Sequence, residues 1–272
     1  MKSRSRGMVI VVGLILTGAV GVLFGDSVEA LQAFRKGDYA TAFREWQAAA
    51  RQGHPEAEYN LGLMYLKGLG VPKDPEEAFR WLYDAAEKGF ADAQFQVGLM
   101  REKGVGVHQD YAQAEVWYAL AADRGESEAE MGLGTLYEQG HGVKKDLARA
   151  VSWYRKAAEQ GLPEAQYHLG ILSERGRGMP QDFSVAAKYY AQAANQGYAP
   201  AEYRLGVCYA AGKGVERDTE KAYLWMTLAA RQQQKEAEKQ RAGLAAKLSG
   251  DKIARAEHSA ADWKPGIKRQ PA

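Results

Sequence analysis

Residues 57–89 read A-E-Y-N-L-G-L-M-Y-L-K-G-L-G-V-P-K-D-P-E-E-A-F-R-W-L-Y-D-A-A-E-K-G. The same pattern returns four more times along the chain, each time at an offset of 36 residues. A repeat of this length is typical of a solenoid, in which each unit covers the apolar face of its neighbour. The recurring positions include an alanine, a glycine, an aspartate and an aromatic residue: Ala57/Ala93/Ala129/Ala165/Ala201, Gly62/Gly98/Gly134/Gly170/Gly206, Asp74/Asp110/Asp146/Asp182/Asp218 and Trp81/Trp117/Trp153/Tyr189/Trp225.

Each half of the unit predicts one helix. Apolar residues recur every four positions over 57–67, which marks one buried stripe of a first helix, called helix A. Gly68 ends this helix, since glycine readily takes the left-handed conformation of a helix stop. Asp74 is a good N-cap for a second helix, helix B, near 74–88, and Gly89 ends it. No stretch alternates convincingly with period two, so the sequence predicts an all-α fold.

The glycine inside helix A needs an explanation. Gly62 and its equivalents each cost the helix about 0.5–1 kcal/mol relative to alanine. We expect a close approach of the two helices to offset this cost, with Gly62 meeting the small face of helix B that Ala78, Ala85 and Ala86 form.

The period divides most of the chain into consecutive units. A half unit at 27–56 caps the N-terminal end, and 237–263 predicts C-terminal capping helices, the last from about Asp251 to Trp263, before a tail at 264–272. Since the glutamine-rich stretch 232–234 replaces the usual glycine stop, we expect the last helix B to continue into 235–248. Five full units lie between the caps, at 57–92, 93–128, 129–164, 165–200 and 201–236.

The N-terminal 26 residues have the composition of an export signal. Lys2, Arg4 and Arg6 precede an uncharged, mainly apolar run at 8–24, which Asp26 ends. The run has 17 residues, slightly long for a signal and at the short limit for a membrane span. The leading interpretation is a cleaved signal peptide and a periplasmic or secreted protein. The alternatives are an uncleaved inner-membrane anchor with the repeats facing the periplasm, and a cytoplasmic first helix.

Composition excludes several classes of partner and site. With 36 basic and 34 acidic residues the formal net charge is +2, so nucleic acid is not an expected partner. The chain has one cysteine, Cys208, and therefore no intrachain disulfide and no cysteine cluster for structural zinc. Its five histidines show no metal-site spacing, and its G-x-G loops close a helix rather than open one, unlike dinucleotide-binding loops. We predict no metal site, no cofactor and no catalytic residue.

The unit at 57–89 resembles the Sel-1-like repeat (SLR), a relative of the tetratricopeptide repeat, and the resemblance covers residues 38–236. It implies a right-handed superhelix of antiparallel helix pairs. Known members are mostly adaptors that assemble protein complexes, in bacteria often exported, and the resemblance implies no reaction.

One motif favours an enzyme instead. Residues 249–252, Ser-Gly-Asp-Lys, match the S-x-x-K nucleophile motif of penicillin-binding enzymes, and cysteine-rich SLR proteins have been described as β-lactamase-like. No K-T-G or S-D-N element accompanies the motif, and this chain lacks the paired cysteines of that subgroup. The structural alternative is that Ser249 or Asp251 caps the last helix.

The tetratricopeptide pattern, carried over, places parts of helix A on the inner, concave face. A nearly invariant aromatic column there, with Tyr59, Phe95, Tyr167 and Tyr203, serves either packing or recognition. Positions that differ between repeats are candidates for specificity, with a solvated helix face as the alternative. The candidate protein- or peptide-binding residues are Tyr59, Phe95, Tyr167, Tyr203, Gln96, His168, Arg204, Glu102, Lys103, Glu138, Glu174 and Arg175.

Three hypotheses follow. The leading one is a non-enzymatic interaction module or scaffold of the envelope, which binds a protein or peptide in the concave groove. The second is a β-lactamase-like or cell-wall hydrolase with Ser249 as its nucleophile. The third is a membrane-tethered adaptor, which shares the groove and contacts the membrane only through residues 8–24.

Overall fold

The computed structural model describes residues 25–266. The predicted signal or anchor therefore lies outside the described residues except for Gly25 and Asp26, and so does the tail beyond Gly266. The described part of the chain is all-helical. Its helices are α1 (Gly25–Arg35), α2 (Tyr39–Arg51), α3 (Pro55–Lys67), α4 (Pro75–Glu87), α5 (Ala91–Lys103), α6 (Tyr111–Ala122), α7 (Ser127–Gln139), α8 (Leu147–Glu159), α9 (Pro163–Arg175), α10 (Phe183–Ala194), α11 (Ala199–Ala211), α12 (Thr219–Arg231), α13 (Lys235–Ala245) and α14 (Gly250–Asp262).

The helices stack in chain order, which confirms the predicted solenoid. Each helix from α1 to α12 packs against the next one, and α14 packs against α12. Helices α3, α5, α7, α9 and α11 are the A helices of the five repeats, and α4, α6, α8, α10 and α12 are the B helices. Each A helix begins about two residues before its buried alanine, at Pro55 in the first repeat.

The predicted aspartate N-caps of helix B and the glycine stop of helix A are present. Asp74 accepts hydrogen bonds from the backbone N–H groups of Glu76 and Glu77, at 3.1 and 3.0 Å, and the aspartates of the other B helices act in the same way. Gly68 ends α3 with φ of 72°, in the left-handed region. Each repeat therefore restarts its second helix at a position that one aspartate fixes.

The second glycine of each G-x-G loop fixes the spacing between repeats. A Cβ on Gly106 would lie 1.9 Å from the carbonyl oxygen of Pro75, the first residue of the preceding helix B. Its equivalents Gly142, Gly178 and Gly214 lie against Tyr111, Leu147 and Phe183 in the same way. The loop of one repeat thus touches the backbone of the repeat before it, and only glycine fits there.

The glycine inside helix A meets a large side chain, so the predicted contact with the alanine face is only partly correct. Gly62 does lie near the Ala78 carbonyl, but its closest neighbours belong to Leu82. A Cβ on Gly134 would lie 2.5 Å from the ring of Tyr154. The side chains that the five glycines admit are Leu82, Tyr118, Tyr154, Tyr190 and Met226, all fully or almost fully buried.

A column of buried polar side chains runs through the repeats near the start of each A helix. It consists of Glu58, Gln94, Glu130, Gln166 and Glu202, each at most 5% exposed. A residue one or two positions beyond the end of helix B reaches this column: Lys88 contacts Glu58, Gln160 donates to Glu130, Gln196 to Gln166 and Gln232 to Glu202. We call this set the polar column.

The same donors also link consecutive repeats. Gln196 donates to the carbonyl of Gly161 at 2.8 Å, and Gln232 donates to that of Gly197 at 3.0 Å. These glycines belong to the turn that ends the preceding helix B. These donors therefore pair some of the buried polar atoms of the column and link neighbouring repeats at the same time.

The C-terminal cap differs from the prediction at one point. Helix α12 ends at Arg231 and a separate helix α13 follows, so the expected continuation into 235–248 is wrong. Gln233 occupies the position of Gly197 one repeat later and has φ of 64°, the left-handed conformation that glycine takes elsewhere. The turn therefore forms without glycine. The predicted last helix, by contrast, is present as α14.

Glu202 makes a pH-dependent contribution to stability. Its Oε2 accepts from Gln232 at 3.0 Å, whereas its Oε1 is buried without a hydrogen-bond partner. Burial raises the pKa of Glu202 to about 7, above its ordinary value of 4.5. A raised pKa means that the fold favours the neutral carboxyl, so stability at this site is present at low pH and falls as the pH rises through 7.

We predict that Glu202→Gln stabilises the protein at pH 8 and changes little at pH 5. The equivalent Gln166 donates to the Ala158 carbonyl and accepts from Gln196, which shows that the site accommodates an amide. The expected gain in the free energy of unfolding at pH 8 is on the order of 1–3 kcal/mol. Urea unfolding at both pH values measures it, and equal pH dependence of the variant and the unmodified chain would contradict the prediction.

Candidate functional site

Two small pockets open between consecutive A helices. The first has a volume of about 50 Å³ and lies between repeats 4 and 5, and the second, of about 10 Å³, lies between repeats 1 and 2. The six residues that line the second pocket all have an equivalent in the first, 108 residues or three repeats further on. The pairs are Leu66/Glu174, Gln96/Arg204, Leu99/Val207, Met100/Cys208, Lys103/Ala211 and Val105/Lys213.

We call these positions the inter-A groove. They include the helix A positions that the sequence predicted to face inward, at Gln96, Lys103, Glu174 and Arg204. The architecture therefore brings predicted residues from different repeats to one type of site. Helices α5 and α7, the A helices of repeats 2 and 3, are also in direct contact.

The pocket between repeats 4 and 5 combines apolar walls with charged groups. Glu174 accepts a hydrogen bond from the Tyr190 hydroxyl at 2.5 Å and lies 3.9 Å from Nη1 of Arg204. Lys213 lies over the ring of Phe183, 5.5 Å from its centroid, and that ring is 37% exposed. Charged groups of both signs and an accessible aromatic ring therefore line this pocket beside its apolar residues.

Cys208 in the pocket wall is not an activated nucleophile. Burial raises the pKa of its thiol to about 11, so the thiolate is scarce near neutral pH. The S-x-x-K residues also lie apart from the groove, since Ser249 and Lys252 are exposed at the start of α14. Ser249 occupies the N-cap position as predicted, but its side chain makes no capping hydrogen bond.

The three candidate glutamates of the middle repeats have a structural partner that the sequence analysis missed. Each accepts a hydrogen bond from the tyrosine that the mid-helix glycine admits: Tyr118 to Glu102 at 2.6 Å, Tyr154 to Glu138 at 2.9 Å and Tyr190 to Glu174 at 2.5 Å. Burial raises the pKa of each tyrosine, which keeps the hydroxyl protonated as a donor. These acids therefore help to hold the repeat together.

A signal for this pairing is present in the sequence. The repeats with a tyrosine at this helix B position have glutamate at the helix A position, whereas the first and last repeats combine Leu82 with Leu66 and Met226 with Ala210. The two positions change together, as expected for side chains in contact. Comparing the columns in pairs would have found the partner.

The glutamates keep part of their surface accessible, and Glu138 and Glu174 also contact the next repeat. Glu138 lies 3.5 Å from Nδ1 of His168, whose ring stacks on Tyr154 with centroids 5.0 Å apart. The hydrogen bond with His168 is the largest cause that lowers the pKa of Glu138. The candidate His168 therefore lies between Glu138 and Tyr154. It occupies the repeat position that Gln96 and Arg204 occupy in the inter-A groove.

The aromatic column contains one core residue and three half-buried residues. Tyr59 is only 5% exposed and packs on Phe90, so it belongs to the core. Phe95 and Tyr167 are half-buried, and Phe95 stacks on Tyr118 with centroids 5.8 Å apart. The Tyr203 hydroxyl, also half-buried, accepts from Gln240 of α13 at 2.8 Å.

The remaining candidates differ in accessibility. Gln96 is buried in the wall of the pocket between repeats 1 and 2, whereas Lys103 is exposed at its rim and contacts Glu102. Arg175 is exposed at the end of α9. Over residues 25–266 no group of three or more acidic, histidine or cysteine side chains is arranged to hold a metal ion. In the same range, none of the helices has both the length and the apolar content that a membrane span requires.

Comparison with known families identifies the repeat. The model described as "Sel1 repeat" matches five consecutive segments, at 55–90, 91–126, 127–162, 163–198 and 199–233. These segments begin where the A helices begin, as Pro55 shows for the first. No curated protein matches the chain significantly.

Solved structures show the same repeat. A Sel1 repeat protein from Oxalobacter formigenes is 35% identical, with a TM-score of 0.70 over 75% of this chain and 84% of that one. A protective antigen of uropathogenic Escherichia coli strains, which displays an SLR fold, is 31% identical with a TM-score of 0.76. That match covers 87% of this chain but 53% of the antigen, so the chain spans about half of the antigen's length. An immunity protein from Pseudomonas aeruginosa, at 19% identity and a TM-score of 0.50, shares the fold alone.

We predict that Glu102 and Tyr118 are energetically coupled. Glu102→Leu leaves the buried Tyr118 hydroxyl without an acceptor, and Tyr118→Leu leaves a cavity, so each is expected to lower the free energy of unfolding by about 1–3 kcal/mol. The double variant recreates the Leu66–Leu82 pair of the first repeat and should lose at least about 1 kcal/mol less than the sum.

Urea unfolding of the four proteins measures this coupling. The matched control combines Glu102→Leu with Tyr190→Leu, two repeats away, where the losses should add. Additive losses in the Glu102–Tyr118 pair would show that the hydrogen bond has no net effect.

Proposed function

Because the chain belongs to the Sel1 repeat family, we propose that it is a non-enzymatic binding scaffold of the bacterial envelope, which holds a protein segment in the inter-A groove. The observation that carries this proposal is the pair of equivalent pockets three repeats apart. A surface that presents the same kind of pocket at regular intervals suits a ligand that is itself extended. The proposal assigns no reaction to the chain.

The spacing of the pockets sets the length of the ligand. We take the spacing of packed helices, about 8–10 Å, as the advance from one A helix to the next, so three repeats separate the pockets by roughly 25–30 Å. An extended peptide advances about 3.3 Å per residue and spans this distance in about eight or nine residues. The ligand is therefore an extended segment with two anchoring side chains at about this separation.

The chemistry of the larger pocket defines one anchor. Its walls are apolar at Val207 and Ala186, and its mouth carries Arg204, Lys213 and the exposed ring of Phe183. A small apolar side chain fits a volume of about 50 Å³, and an acidic neighbour in the ligand would face the two cations. Apolar centres with polar rims are the usual composition of such interfaces.

We predict that a photo-crosslinking residue in the groove captures the partner. It replaces Ala211, which is exposed at the larger pocket, and in a second protein Lys103, its equivalent at the smaller pocket. Long side chains occur at this position in the other repeats, for example Arg175, so the fold should tolerate the change. Mass spectrometry after irradiation in the native envelope should identify the same protein from both sites.

Lys188 provides the matched control, since it is exposed on helix B in the fourth repeat. It should give no specific product. Capture of the partner from Lys188, with none from Ala211 and Lys103, would place binding on another face and contradict the proposal.

The envelope location rests on the N-terminal sequence. Three basic residues followed by the apolar run at 8–24 support export and a periplasmic or secreted protein. If the run is retained, the same scaffold becomes an adaptor tethered to the inner membrane with its repeats in the periplasm. The groove proposal is the same in both cases.

N-terminal sequencing of the protein recovered from the envelope separates the two cases. We expect a mature N-terminus close to the start of α1. A chain that begins at its first residues and stays with the membrane fraction would support the tethered form. Recovery of the full chain from the cytoplasm would contradict the export proposal.

A further inference from the structure

Gln96 is a buried polar side chain in the wall of the smaller pocket of the inter-A groove. It is 5% exposed, and no donor among the described residues forms a hydrogen bond with its Oε1. The other residues that line this pocket are Leu66, Leu99, Met100, Lys103 and Val105. Since buried polar atoms almost always have a partner, an unpaired acceptor in the wall of a pocket marks a place where another molecule can supply the donor.

The equivalent side chains of later repeats have a partner within the chain. In repeats 4 and 5 the side chain at this position contacts a glutamate 30 residues earlier: His168 with Glu138 at 3.5 Å and Arg204 with Glu174 at 3.9 Å. The residue 30 positions before Gln96 is Leu66, which is apolar. The junction between repeats 1 and 2 therefore keeps a polar side chain at this position but lacks the polar group that faces it elsewhere.

The pocket beside Gln96 has room for one small group. Its volume is about 10 Å³, close to the space that a single water molecule needs, whereas the pocket between repeats 4 and 5 has about 50 Å³. A whole side chain does not fit, but a single polar atom at its tip does. A backbone N–H of a bound segment is also excluded, because the peptide chain continues on both sides of it.

The surroundings of the pocket favour a neutral group of this size. A charged group would lose its hydration against the apolar walls, and the Lys103 ammonium at the rim is already paired with Glu102. A hydroxyl is neutral, has the size of a water molecule and can either donate or accept a hydrogen bond. It can therefore pair with either end of the Gln96 amide.

We infer that the smaller pocket binds the hydroxyl of a serine or threonine in the extended ligand segment, with Oε1 of Gln96 as its acceptor. The inference rests on the proposed function and specifies the second anchor of that ligand. The two pockets then recognise different side chains, a hydroxyl between repeats 1 and 2 and a small apolar group between repeats 4 and 5. These side chains are about eight or nine residues apart in the ligand.

The probe that tests this inference is a phage-displayed library of random peptides of about 12 residues, long enough to reach both pockets. It is selected in parallel on the immobilised full chain and on its Gln96→Met variant, whose side chain has a similar length but no amide. Peptides enriched on the unmodified chain should share a serine or threonine at one aligned position. Peptides enriched on the variant should have an apolar residue there, because a hydroxyl would be buried without a partner.

A synthetic copy of an enriched threonine peptide measures the size of the effect by fluorescence anisotropy. Valine in place of the threonine keeps the shape and removes the hydroxyl, so binding to the unmodified chain should weaken at least about tenfold, a loss of about 1.4 kcal/mol. The same replacement should change binding to Gln96→Met by less than about twofold. Thermal unfolding checks that the variant folds, and Gln96→Leu takes its place if it does not.

The matched control is Asn60→Met, which removes the amide at the equivalent position of the first repeat, outside both pockets, and should leave selection and binding unchanged. Enriched peptides without a shared serine or threonine, or equal binding of the threonine and valine peptides, would overturn the inference and leave the groove proposal intact. Peptides that bind equally well to Lys103→Trp and Ala211→Trp lie outside the groove and would contradict the proposed function as well. A selection that enriches no peptide would also count against both.

Discussion

Every repeat closes around one buried side chain of helix B, and the glycine in the middle of helix A makes room for it. In the three central repeats that side chain is a fully buried tyrosine, whose hydroxyl needs an acceptor within the protein. Glu102, Glu138 and Glu174 supply that acceptor from helix A. The glycine lowers the helix propensity of helix A, and the packing of this side chain between helices A and B offsets that cost. The tyrosine hydroxyls also fix the position of the three carboxylates.

The sequence predicted the period, the helix pairs and their caps because each depends on residues close together in the chain. Asp74 and Gly68 act on neighbouring backbone groups and can be recognised without a structure. The contact of Gly134 with Tyr154, by contrast, depends on how two helices face each other. The turn at Gln233 could not be predicted from the sequence, because a glutamine in the left-handed conformation is rare.

Four of the predicted site residues, Gln96, Lys103, Glu174 and Arg204, line the two pockets, because their spacing follows from the period. Whether they bind a partner stays a prediction. Whether a side chain there packs in the core or pairs with a polar partner depends on the adjacent helices, as Tyr59, Tyr203 and His168 show. The repeats share one backbone conformation, but their side chains at these positions differ. The two ends of the groove are therefore chemically different.

The contact between the second loop glycine and the preceding helix B has a consequence for how such a chain changes length. Gly106 lies against Pro75 so closely that one extra residue in the loop would displace the junction. A complete unit of 36 residues, by comparison, carries both halves of the junction and can be gained or lost without altering either neighbour. Duplication or deletion of entire modules is then the route by which the solenoid grows or shrinks.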